Sequence, residues 1–116
     1  MGSSDFTQVK IGQFKNAQEA FNQAVEVAKH MNGHGGYTGT IAEKTEFQMV
    51  PVPKGQDPED FVEACMNFSE GKFWDDKWGP AGCVEVTGKY LKEERGDKYK
   101  GVRNFHVYWF FGYASC

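Results

Sequence analysis

The sequence predicts a single α+β domain over residues 1–116: a two-layer sandwich whose mostly antiparallel sheet carries two helices on one face, ferredoxin-like or related. Three observations predict it. Ala17, Ala20, Phe21, Ala24, Ala28 and Met31, flanked by Val25 and Val27, recur at helical spacing. Asp57-Pro58-Glu59-Asp60 is a helix start, with a capping side chain, proline at the first helical position and acids in the first turn. Residues 103–114 place Phe105, Val107, Trp109 and Phe111 on one side of a strand, with Tyr108 and Phe110 on the other. A strand apolar on both faces belongs in the middle of its sheet.

The elements follow in order. Thr7, Val9 and Ile11 alternate over residues 6–11 and predict a first strand. Asn16 caps the first helix, and Asn32-Gly33 stops it. Beyond a glycine-rich stretch, Tyr37, Gly39, Ile41, Glu43, Thr45, Phe47 and Met49 share one face of an extended segment. Thr40, Lys44, Glu46 and Gln48 then face water, in one long strand or two broken near Lys44; a one-residue slip instead turns Lys44 or Thr45 inward. In the second helix Phe61, Ala64, Cys65 and Phe68 share a side. An aromatic, charged loop over residues 73–80 leads to a strand over residues 83–91. A charged hairpin tip around Gly96 precedes the last strand.

Composition narrows the function classes. A formal net charge of −3 gives no global attraction to nucleic acid or acidic membranes, and neither is expected as a partner. The basic residues Lys89, Lys92, Arg95, Lys98, Lys100 and Arg103 are diluted by Glu93, Glu94 and Asp97, as on a solvated tip. The 3 cysteines have no paired spacing, which argues against a disulfide framework and for a reducing, cytoplasmic setting. No apolar run approaches the roughly 20 residues of a membrane helix, and the first residues do not read as a signal peptide.

Gly33-His34-Gly35-Gly36-Tyr37-Thr38-Gly39 is the segment that composition explains least. One glycine ends a helix; the rest serve close packing or a loop whose N–H groups meet a ligand. A dinucleotide fingerprint is rejected, since it needs a strand before the glycines and a helix after them. An anion nest remains, with Tyr37 stacking, Thr38 and Thr40 donating and Lys44 offsetting charge, beside the plainer reading of a tight turn. Trp74-Asp75-Asp76-Lys77-Trp78 reads either as a stacking platform for a flat ligand or as a loop anchored over the sheet. Glu26, His30 and His34 recur every four residues, but no zinc spacing supports them, and no metal or cofactor is expected. Glu43 and His106 are the candidate acid/base pair if the protein is a small hydrolase or transferase.

Three blocks carry a resemblance: Gly36-Tyr37-Thr38-Gly39-Thr40-Ile41-Ala42-Glu43-Lys44, Asp76-Lys77-Trp78-Gly79-Pro80-Ala81 and Phe110-Phe111-Gly112-Tyr113-Ala114-Ser115. Together they resemble short proteins encoded by bacteriophages and prophages. The resemblance implies context, a phage-type accessory protein in a bacterial cytoplasm, and no chemistry. The leading expectation is a non-enzymatic domain that holds a small anionic, nucleotide-like ligand. Its site is Gly36, Tyr37, Thr38, Gly39, Thr40, Lys44, Trp74, Lys77 and Trp78. The alternative is a protein-interaction module that inhibits a host factor or homodimerises through its aromatic sheet face.

Overall fold

The two-faced aromatic strand is the inner strand on which the rest of the chain packs. The computed structural model describes residues 2–32 and 38–116. Along the chain run β1 (Ser3–Gln13), α1 (Ala17–Asn32), β2 (Phe47–Met49), α2 (Pro58–Asn67), β3 (Ala81–Glu85), α3 (Gly88–Arg95) and β4 (Phe105–Ser115). The sheet order is β1-β4-β3-β2. β4 pairs antiparallel with both β1 and β3, and β2 pairs parallel with β3. The protein is therefore α+β with a mostly antiparallel sheet, as the sequence predicts. The parallel pair follows from the α2 crossover between β2 and β3.

The helices divide between the two faces. On one face α1 buries Ala20, Phe21, Ala24, Val25 and Ala28 against Cys83, Tyr108 and Phe110. Phe21, Phe47 and Phe110 meet there with ring centroids 5.0–5.8 Å apart, within the range of favourable aromatic contact. On the other face α2 and the segment around Trp74 cover Val84 and Phe111, so that aromatic face is covered from within the chain. A third cluster gathers Val86, Phe105 and Val107 with Tyr90 and Leu91 of α3. Phe110 and Phe111 are both 0% exposed, which is what a central strand requires.

Two glycines are dictated by close approach. Gly82 lies opposite Phe111 across the β3–β4 ladder, and a Cβ there would sit 2.5 Å from the phenyl ring. Gly39 has φ 72° and would bring a Cβ within 2.9 Å of Ser4 Cβ and 3.2 Å of Cys116 Cβ. Its N–H donates to Ser115 O at 2.8 Å, so at this position the glycine serves packing against the sheet ends.

Four local expectations are corrected. Of the extended segment expected over residues 37–49, the described part, residues 38–49, is a strand only over Phe47–Met49; Ile41–Glu43 is a 3-10 turn capped by Thr40. The strand expected over residues 83–91 ends at Glu85, and α3 begins at Gly88. The hairpin tip is accordingly the end of α3 and the turns after it, where Lys, Glu and Arg with Leu91 favour helix. Phe68 and Met31, both assigned to apolar helix faces, are 76% and 77% exposed; Met31 lies in the last turn of its helix and Phe68 is the residue that caps the end of its own. Among the described residues no helix is long and apolar enough to cross a membrane.

Candidate functional site

The residues expected to form an anion site do converge in part. Lys44 is the link between the two loops: it is 3% exposed, not facing water. Its ammonium donates to the carbonyls of Asp76, Lys77 and Gly79 at 3.3, 3.2 and 2.8 Å. Burial pushes its pKa down, and the Asp76 carboxylate partly restores it. The charge thus closes the turn over residues 76–79, binding that loop to the 3-10 turn. Lys44→Met keeps the aliphatic bulk and strands three carbonyls, and is expected to cost about 2 kcal/mol. Urea denaturation checks this, and an unchanged midpoint would show that the contacts contribute nothing.

Thr38 and Thr40 are also engaged. The Thr38 hydroxyl donates to Glu43 Oε2 at 2.8 Å and lies 2.8 Å from the Thr40 hydroxyl. Thr40 Oγ1 in turn accepts from the Ala42 N–H at 3.2 Å. The Thr38 N–H joins Glu43 Oε2 at 3.2 Å, so the hydroxyl relay ends on one carboxylate. Glu43 is thereby held as an acceptor within its own turn. Of the other expected residues, Gly36 and Tyr37 lie outside the described residues, as does His34.

The two tryptophans have opposite environments. Trp74 is 6% exposed, donates its indole N–H to Cys65 O at 3.1 Å and meets Phe111 edge-on at 5.3 Å. Trp78 is 65% exposed, with the Lys77 ammonium 5.4 Å from its ring centroid. Lys77 also reaches Gly2 O at 3.4 Å. The flat-ligand platform therefore retains one accessible indole.

His106 and Glu43 do not meet. His106 Nδ1 lies 3.3 Å from Glu85 Oε2, and its ring stacks on Tyr108 at 5.5 Å. Glu43 belongs with the turn beside Gly39, which is bonded to Ser115 at the far end of β4. That span of strand is about 30 Å, too far for one acid/base cleft. Among the described residues no group of three or more His, Cys, Asp or Glu is arranged to hold a metal ion.

A surface the sequence did not disclose lies on the face opposite α1. A hollow of about 330 Å³ opens between β1 and α2, with half-buried Trp109 as its floor. Asp5 and Thr7 line one side, and Glu59, Val62, Glu63 and Met66 the other. These four α2 positions follow i, i+3, i+4, i+7, so they form one helix stripe. Glu59 and Trp109 also line a second hollow of about 130 Å³, together with Asp57, Val86, Tyr90, Glu93 and Glu94. No Lys or Arg lines either hollow. The spacing on α2 was a signal in the sequence; the approach of β1 and α3 to that stripe was not. Comparison with protein-family models, curated proteins and solved structures gives no match, so the chain's own geometry carries the functional argument.

Proposed function

We propose that this protein is a polypeptide-binding module, not an enzyme, and that it takes an extended segment of a partner protein along β1 and over the Trp109 groove. The observation that carries the reading is the character of β1. It is an eleven-residue edge strand that pairs, among the described residues, with β4 alone, and none of its residues is fully buried. Long edges are normally blunted by proline, charge or shortness. β2, the other edge, has three residues; β1 has no proline and carries only Asp5 and Lys10 as charges. An exposed edge beside a side-chain groove is the arrangement used in strand addition, where the backbone supplies affinity and the groove supplies selectivity.

The nucleotide-like ligand reading has less support, because Trp74 is in the core and Lys44 is committed to backbone carbonyls. Homodimerisation through the aromatic sheet faces is likewise disfavoured, since α1, α2 and the Trp74 segment cover them. In the phage-type context that the resemblance implies, the partner is a host protein.

The test is selection from a random peptide library against the full chain, followed by hydrogen exchange of the complexes. Selected peptides are expected to protect alternate β1 amides, the pattern of an added strand. Protection confined to other elements would refute the reading. A thermal shift with nucleotides that is lost in Trp78→Ala would restore the small-ligand alternative.

A further inference from the structure

Resting on the polypeptide-binding reading above, we propose that the groove selects a cationic segment, one with Arg or Lys at alternate positions. Asp5, Asp57, Glu59, Glu63, Glu93 and Glu94 line the two adjacent hollows. They are 6 of the chain's 16 acidic residues, so the groove is far more acidic than a net charge of −3 suggests. The ion pair between His106 and Glu85 involves none of these six carboxylates. These six carboxylates are thus left without a contact ion pair, and a positively charged occupant complements them.

The form of the cation follows from the same geometry. The carboxylates do not converge in metal-binding groups; they line hollows whose walls include the half-buried rings of Trp109 and Tyr90. That distribution suits guanidinium or ammonium groups at the end of aliphatic stems. The stem lies on the rings, the head reaches a carboxylate, and an Arg plane can stack on an indole. In a strand added to β1, successive side chains alternate between faces. Only every second residue faces the groove, so the charges belong at positions i, i+2 and i+4. The other residues face the α1 side of the sheet, where β1 presents Ser4, Phe6, Gln8 and Lys10 in register with the Tyr108 and Phe110 face of β4.

The experiment measures fluorescence anisotropy of short labelled peptides with the full chain. The probes are a peptide with arginine alternating with valine or threonine, its isomer with all arginines in one block, and the alternating peptide with glutamine for arginine. The alternating arginine peptide is expected to bind at least about tenfold more tightly than either, and to weaken as salt is raised. Glu63→Lys and Glu94→Lys are each expected to weaken it about tenfold. Glu26→Lys, an exposed change on α1, leaves it unchanged. Equal binding of the block isomer would overturn the inference in favour of unspecific attraction, and indifference to Glu63→Lys and Glu94→Lys would overturn its location. Equal binding of the glutamine peptide, with β1 amides still protected, would defeat the charge selection and leave strand addition standing. Binding without protection of β1 would defeat both.

Discussion

Replacing Trp74 by Ala lowers the unfolding free energy by about 3–5 kcal/mol, whereas Trp78→Ala changes it by less than about 0.5 kcal/mol. The difference comes from position alone. Trp74 is 6% exposed, packed with Val62, Cys65, Val84 and Phe111. Truncation removes its buried apolar surface, the edge-on contact with Phe111, and the hydrogen bond that satisfies Cys65 O. Trp78 is 65% exposed and rests beside Lys77, a surface contact of small worth. Paired urea titrations of the two variants measure the contrast. A costly Trp78→Ala together with a mild Trp74→Ala would mean that the loop is anchored by the outer indole instead. For the functional reading, the pair separates a structural aromatic from an accessible one within five residues of sequence.

Those two residues also show where sequence reasoning stops. α1, the start of α2 and the inner position of β4 were legible because each is written in local spacing: the Ala/Phe stripe, the Asp57-Pro58 cap and the doubly apolar strand. Residues 38–44 were misread because side chains compete with the strand ladder. The Thr38, Thr40 and Glu43 relay and the burial of Lys44 fold the segment into a 3-10 turn. Periodicity carries no trace of a lysine bonded to carbonyls thirty-two or more residues away. α3 was hidden because Val84, Val86 and the residues following continue an alternating pattern past the real end of β3. The groove is a still more distant property. Glu59 and Glu63 read as ordinary solvated helix acids until β1, α3 and Trp109 are brought beside them.

The second large effect is alkaline destabilisation: stability falls by about 4 kcal/mol between pH 8 and pH 11, with the loss beginning near pH 9. Cys83 is 0% exposed, and burial, then the Glu85 carboxylate, pushes its thiol up to about 12 from a usual 9.0. Tyr108, 3% exposed and Glu85's partner across the ladder, is pushed up to about 12 from 10.0 by burial, then by Glu85 and Cys83. Both groups hold their protons in the folded chain at pH values where the unfolded chain has released them. The folded state then binds more protons, so stability falls as pH rises, by about 1.4 kcal/mol per pH unit for each group in its window. The Cys83 window opens at 9.0 and the Tyr108 window at 10.0, and both close near 12. Lys44 acts in the opposite sense, since its lowered pKa lets the folded state release that proton first. Urea titrations under reducing conditions at stepped pH follow the loss. Cys83→Ala should reduce the loss between pH 9 and pH 10, leaving there the contribution of Cys65, whose thiol burial also raises. A flat profile from pH 8 to 11 in the parent chain would show that these groups are hydrated in the folded state. An undiminished loss over that range in Cys83→Ala would place the ionisation elsewhere, with Cys65 the next thiol to replace.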